Sequence, residues 1–400
     1  MSTTHSSADD IAAHSALPAE SGSEPLNPVC ALQGFGQSVW LDYLHRNLFT
    51  SGEFRRLITE DGLRGATSNP TIFQKAIAGA DYQQALHDIE GHGDMQPMAL
   101  YETLAIRDIR EAADLLRPVY DRTVRVDGYV SLEVSPYLAH DTAATIIEAR
   151  RLWKAVGREN VMIKVPGSIE GLPAIRDLTS EGINVNITLL FGIGRYEAVA
   201  RAFMEGLATF VDNGGDAARV CSVASFFVSR IDSMVDGAIE TRLETATEPE
   251  LRTSLTGLRG TVAIANARLA YQRYLALCRT AEWQRLAARG AHPQRLLWAS
   301  TSTKNPEYRD VRYVEELIGP DTINTMPPAT LEAFRDHGRL RASLEDGIEE
   351  AKATLATLEH VGISLNEVTD RLLEDGVTQF SKAFDSLLAA VGAGQRGGAS

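Results

Sequence analysis

The segment ENVMIKVPGS (Glu159 to Ser168) reads as a short apolar strand, Val161–Val165, ending at Pro166-Gly167, with Lys164 set inside it. A lysine is almost never fully buried unless it is paired. A strand of this composition therefore needs neighbours that can receive an amine.

Seven other segments have strand character: Ser38–Asp42, Gly65–Asn69, Tyr129–Val134, Asn184–Leu190, Val220–Val228, Arg295–Thr301 and Thr322–Met326. Amphipathic stretches such as HDTAATIIEARRLWKAVG lie between them, where Asp141 is the expected N-cap and Gly157 the expected C-cap. Alternating strands and helices imply a parallel sheet. Eight such strands predict an α/β fold closed as a (β/α)8 TIM barrel. The connections 70–128 and 231–294 are long enough for extra helices between β2 and β3 and between β6 and β7. Residues 1–28 are rich in Ser, Ala, Pro and acids and read as disordered. Residues 29–391 form the expected barrel domain, and 392–400 the expected flexible tail.

The 400-residue chain carries a net charge of -14, which disfavours a nucleic-acid partner. An acidic protein can still hold a local basic pocket for a small anion. No apolar run reaches the ~18 residues of a membrane span. The N-terminus shows neither the apolar core of a secretory signal nor the arginine content of a transit peptide. A cytoplasmic protein without a membrane or nucleic-acid partner is expected. Cys30, Cys221 and Cys278 are odd in number and widely spaced, so buried reduced thiols are expected. The nine histidines form no ligand cluster, and no metal or other cofactor is called for.

Strand side chains alternate between two faces. Lys164 shares a face with Met162, Glu133 with Ser131, Asp42 with Trp40, Thr67 with Asn69, and Thr188 with Asn184 and Asn186. Helices cover the outside of a barrel, so these polar sets point inward. They cluster at the C-terminal strand ends, where barrel enzymes keep their chemistry. A buried Asn or Thr often only satisfies backbone groups, and a buried acid can be structural. A lysine and two acids converging inside a barrel are costly unless they serve a purpose.

A lysine amine attacks a carbonyl in its neutral form, which an apolar surrounding favours. The resulting Schiff base is an electron sink for cleaving the neighbouring C–C bond. One carboxylate can remove the hydroxyl proton that starts cleavage, and another can shuttle protons as the carbinolamine and imine form. Arg230 follows the sixth strand, and Ser300, Ser302, Thr303 and Lys304 follow the seventh. Arg fits phosphate in a bidentate manner, and hydroxyl and loop N–H groups complete such a site. Arg230 could also open a helix with a salt bridge.

The pieces SVWLDYLHR, GATSNPTIFQKAI, GYVSLEVSP, NVMIKVPGS, INVNITLLF, ASFFVSRID, LLWASTSTKNP and TINTMPPATLEAF occur in order on the eight strands. From about Leu32 to Val391 the chain resembles the transaldolases, of the class I Schiff-base aldolase superfamily. The resemblance implies transfer of a dihydroxyacetone unit from sedoheptulose 7-phosphate to glyceraldehyde 3-phosphate, a step of the pentose phosphate pathway. It implies that Lys164 forms the Schiff base, Asp42 takes the C4 hydroxyl proton, and Glu133 acts through a water held by Thr188. Asn69 and Asn186, with Thr67 beside them, would hold the substrate. Ser225 and Phe227 would line the pocket, and Arg230 and Ser300 would grip the phosphate. Many transaldolases carry a second arginine at the position of Ser302. Lys304 or the Ser302–Thr303 backbone is the expected substitute. Sugar phosphates are the implied partners and a homodimer the implied assembly.

A simple Schiff-base aldolase that releases dihydroxyacetone would share the fold and the lysine. A non-catalytic sugar-phosphate-binding barrel would be expected to lack the lysine or the acids, which are all present. GFGQSV (Gly34 to Val39) precedes a strand, so it is no dinucleotide loop. The sequon Asn186-Ile187-Thr188 falls in a buried strand and is not expected to be glycosylated.

Overall fold

The computed structural model describes residues 27–77, 79, 82, 84, 85, 88, 89 and 95–397, with the side chains of 395–397 excepted. Eight parallel strands close into a barrel in chain order. They are β1 (Gln37–Leu41), β2 (Gly65–Thr67), β3 (Tyr129–Glu133) and β4 (Val161–Pro166). β5 (Val185–Leu190), β6 (Ser222–Phe227), β7 (Arg295–Ala299) and β8 (Thr322–Met326) complete the ring, and β8 pairs back onto β1.

Several strands stop short of the ends expected from sequence. Asp42, Asn69 and Ser300 stand just beyond the last paired residues of β1, β2 and β7. Asn69 accepts the Ile72 N–H at 3.0 Å and so opens the Pro70–Ile77 helix instead of extending β2. Ser300 has φ of 56°, which turns the chain out of β7. Leu189 has φ of 59° at a register shift between β5 and β6, just after Thr188. Side chains in left-handed backbone are uncommon and mark built features.

The extra helices are where the long connections predict them. Pro97–Arg122 lies between β2 and β3; Pro249–Leu258, Val262–Cys278 and Ala281–Ala287 lie between β6 and β7. The Thr142–Val156 helix has the expected caps: Asp141 accepts the Ala144 N–H at 2.9 Å, and Gly157 is left-handed. The final helix, Leu365–Gly397, packs on the Pro70–Ile77 and Pro97–Arg122 helices. Its backbone continues through six residues of the tail expected at 392–400, because glycine weakens a helix without forbidding it. Of the segment 1–28, all but Asn27 and Pro28 lies outside the described residues.

The bottom of the barrel is closed by polar groups. Arg295, the first residue of β7, donates to Asp127 Oδ1 at 2.8 Å and to Ser38 Oγ at 3.1 Å, and Ser38 donates to Asp127 Oδ2 at 2.7 Å. Burial opposes the Asp127 charge, but Arg295, Ser38 and Arg64 outweigh it and hold the carboxyl below its ordinary value. Above this layer the Trp40 indole lies across β2 at Gly65, where an added Cβ would fall 2.4 Å from the ring. The three cysteines are unbridged; Cys221 is buried, Cys278 half-buried, and Cys30 exposed. Cys30 thus departs from the expected buried thiol, because the short Pro28–Ala31 helix turns it outward while Val29 packs inward. No helix among the described residues is long and apolar enough to cross a membrane.

Candidate active site

Register sets the centre of the site. Glu133 on β3 pairs with Lys164 on β4, and Lys164 with Asn186 on β5. The Lys164 side chain is 5% exposed and that of Glu133 6%. Lys164 Nζ lies 3.1 Å from Glu133 Oε2 and donates to the Ser68 carbonyl oxygen at 3.0 Å. The amine is thus held from two sides, by the ends of β2 and β3. Glu133 Oε2 has no well-angled hydrogen bond among the described residues, so its tie to the lysine is chiefly Coulombic. Burial pushes the Glu133 carboxyl up, Lys164 pulls it back in part, and Asp42 adds to the rise.

Asp42 stands across the barrel end. Thr67 Oγ1 donates to Asp42 Oδ1 at 2.7 Å and is itself 3.1 Å from Thr325 Oγ1. Burial pushes Asp42 up, while Lys164, the Thr67 hydrogen bond, Arg230 and Lys304 draw it down; burial wins. The site therefore holds two carboxylates of raised affinity for protons, one on the lysine and one facing it. Environments of this kind are what acid–base chemistry near neutral pH requires.

These groups open into a cavity of about 530 Å³ at the C-terminal end of the barrel. Asp42, Thr67, Asn69, Lys164, Thr188, Ser225, Phe227, Arg230, Ser300 and Lys304 line it. Two sequence candidates do not. Glu133 lies behind Lys164 and reaches the cavity through it. Asn186 sits a layer lower, donating to Ser131 Oγ at 2.9 Å and accepting from Ser225 Oγ at 2.7 Å. Its amide braces Ser225, which does line the cavity. Thr188 Oγ1 is buried without a hydrogen-bond partner among the described residues.

A cationic rim closes one side. The Arg230 guanidinium stacks on the Phe227 ring at 5.2 Å from its centroid. Ser300 Oγ is 3.0 Å from Ser229 Oγ, joining the two loops that carry the rim. Lys304 Nζ donates to Ser302 Oγ at 2.7 Å, so the lysine occupies the vicinity of residue 302. Burial lowers Arg230. Lys304 reaches solvent, yet partial burial, with the charges of Arg230 and Lys75, pushes it down against Asp42. Cations gathered this closely repel one another, and an anion would relieve them.

Sequence reasoning missed several lining groups. Thr71 and Lys75 line the cavity one helical turn apart on the Pro70–Ile77 helix, a spacing that was legible. Phe380 arrives from the Leu365–Gly397 helix. Nothing in that helix's sequence tells that it reaches the site. Among the described residues, no three His, Cys, Asp or Glu side chains converge as donors for a metal.

Comparison with known proteins bears on this site. The family described as Transaldolase/Fructose-6-phosphate aldolase matches residues 39–391. A transaldolase of Trichodesmium erythraeum is 47% identical over 366 residues, covering 90% of this chain and 96% of that protein. A transaldolase of Thiobacillus denitrificans is 48% identical over 361 residues, covering 89% and 97%. Transaldolase 2 of a Nostoc species is 47% identical over 368 residues, covering 91% and 96%. With the barrel, the buried lysine and these matches together, the chain belongs to the transaldolase family of Schiff-base aldolases.

Proposed function

We propose that this protein transfers a dihydroxyacetone unit from sedoheptulose 7-phosphate to glyceraldehyde 3-phosphate, giving fructose 6-phosphate and erythrose 4-phosphate. The observation that carries this assignment is the Lys164 amine, buried beside Glu133 and opening into a cavity with a cationic rim.

The ketose phosphate enters with its phosphate against Arg230, Ser300 and Lys304 and its carbonyl toward Lys164. Lys164 passes a proton to Glu133, 3.1 Å away, whose burial favours the protonated form. The neutral amine attacks the C2 carbonyl. Glu133 returns the proton as the carbinolamine loses water, through a water held by the Thr188 hydroxyl, which has no partner among the described residues. Asp42 then removes the C4 hydroxyl proton, with Thr67 orienting its carboxylate. The C3–C4 bond breaks, its electrons pass into the iminium as an enamine, and the shortened aldose phosphate leaves. The enamine adds to the incoming aldehyde, Asp42 returns the proton, and hydrolysis frees Lys164. Asn69 and Ser225 are placed to hold the sugar hydroxyls. The charge of phosphorylated sugars keeps them inside cells, which makes the cytoplasm the expected location.

Incubation with sedoheptulose 7-phosphate and glyceraldehyde 3-phosphate tests the assignment. Both products should form in equal amounts. Free dihydroxyacetone released from fructose 6-phosphate without an acceptor would point instead to a simple aldolase, which the matched family also includes.

A further inference from the structure

Behind Glu133 lies a second, smaller chamber of about 30 Å³, room for one or two water molecules. Lys164 lines the sugar cavity and Glu133 the chamber, with Asn69 lining both, so the ion pair and Asn69 stand between the two. Ser135 lines the chamber, and its buried Oγ has no hydrogen-bond partner among the described residues. Ser135 precedes the Pro136–Leu138 turn, where a serine hydroxyl would ordinarily cap the backbone, yet it makes no capping bond. A buried hydroxyl that declines its local partner is costly unless water satisfies it. Tyr101 lines the same space, and burial together with the Glu133 charge pushes its hydroxyl up. Glu102 and Glu148 also line it, with Arg151 paired to both at the surface, and much of the remaining wall is apolar, including Phe73, Leu132 and Phe384.

We propose that this chamber holds water that hydrogen-bonds the Glu133 carboxyl from behind and keeps it aligned for its proton transfers, and that Ser135 is the positioning residue for that water. The inference rests on the Schiff-base mechanism above. In the dehydration step the carbinolamine C–O bond breaks and its oxygen leaves as water, taking the proton of the Glu133 carboxyl. The nitrogen lone pair forms the C=N bond, leaving a cationic iminium beside the Glu133 carboxylate. Charge and atoms balance within this pair. Over a full cycle Lys164 gives Glu133 this proton and hydrolysis of the iminium returns it, so the rear water carries no net proton and instead hydrogen-bonds the carboxyl through each transfer. The charged or titratable groups around Glu133 and its chamber are Lys164 on β4, Asp42 beyond β1, Tyr101 and Glu102 on the Pro97–Arg122 helix, and Glu148 on the Thr142–Val156 helix.

The test uses the full-length protein with Ser135→Ala, Ser135→Val and Ser135→Thr. Ser135→Ala keeps the space and removes the hydroxyl, so kcat for transfer should fall about fivefold to tenfold with KM unchanged, a fraction of what an acid–base group contributes. The solvent deuterium isotope effect on kcat should rise. Ser135→Val also fills the chamber and should slow the appearance of borohydride-trappable imine further. Ser135→Thr should recover most of the rate. Wild-type kcat and isotope effect in Ser135→Ala would overturn the proposal, as would a loss in which KM and Tm move together with kcat. If Ser135→Val fails to fold, Ser135→Ala alone decides. A wild-type protein that neither transfers nor forms an adduct would instead overturn the mechanism on which the chamber's role depends.

Discussion

Lys164 and Glu133 face each other across adjacent strands with 3.1 Å between Nζ and Oε2, inside a barrel end that excludes solvent from both. A buried pair of this kind is weak evidence of stability by itself, because desolvation offsets much of its attraction. Removing one partner should reveal its cost. Glu133→Gln keeps an acceptor oxygen beside the amine but removes the group that takes its proton, and should slow imine formation by about 10²-fold or more. The trapping rate under borohydride measures this directly. A Glu133→Gln protein with wild-type trapping kinetics would remove Glu133 from the proton path.

Asp42 should act after the imine has formed. Asp42→Asn should therefore still give a borohydride adduct on Lys164, but one retaining the intact donor ketose. Turnover should fall by about 10²- to 10³-fold, the range for a lost general base. Mass spectrometry of the adduct distinguishes six retained carbons from three. An Asp42→Asn protein that retains only three carbons has cleaved without its base.

The pH dependence follows from the same carboxyl. Asp42 must be ionised to accept a proton, and burial raises its affinity for one. The acid limb of kcat/KM should therefore lie above the ordinary aspartate value of about 3.9. Thr67 stabilises the ionised form by donating to Oδ1. Thr67→Val removes that help, so the acid limb should move to higher pH. A limb that stays in place, or moves down, would contradict the assignment.

Arg230 and Lys304 should act on phosphate in unequal measure. Arg230 is half-buried and stacked on Phe227, whereas Lys304 is exposed and bonded to Ser302. A charge-assisted hydrogen bond contributes about 1.5–3 kcal/mol, and each ~1.4 kcal/mol is tenfold in affinity. Arg230→Ala should raise KM for fructose 6-phosphate by about 10- to 100-fold, and Lys304→Ala by less. Neither should change KM for unphosphorylated dihydroxyacetone acceptors such as glyceraldehyde to the same extent. Equal effects on charged and uncharged substrates would remove the rim from phosphate binding.

Asp232 offers a stability prediction away from the chemistry. It accepts from the Ala263 N–H at 2.7 Å and the Tyr313 hydroxyl at 2.8 Å, yet burial outweighs both and pushes it up to about 6. A carboxyl raised in the folded state stabilises the fold below its unfolded value of about 3.9 and loses that contribution as pH rises through 6. Asp232→Asn should flatten this loss, on the order of 2 kcal/mol between pH 4 and 7. Denaturant unfolding of both proteins across that range tests it. A steeper pH dependence in the variant would reverse the sign.

The barrel was legible because each strand carries an apolar outer face and a polar inner one, and because Lys164 has no other place to go. Asp42, Thr67 and Lys164 could be placed together from the two-residue period alone. Asn186 shows where that period falls short. It shares the inward face with Thr188, but sits deeper, in register with Lys164 while Thr188 pairs with Pro166. Depth along a barrel axis depends on strand stagger, which no single strand reveals. Phe380 was invisible for a different reason. Its helix follows the last strand, and only packing against the Pro70–Ile77 helix brings it over the cavity.

The central claim is that Lys164 bonds covalently to the substrate. Mixing the protein with fructose 6-phosphate, reducing with sodium borohydride and mapping the peptides by mass spectrometry tests it most directly. A three-carbon adduct should appear on Lys164 and be absent from Lys164→Ala. An intact, folded protein that gives no adduct, or gives one on another lysine, would contradict the account.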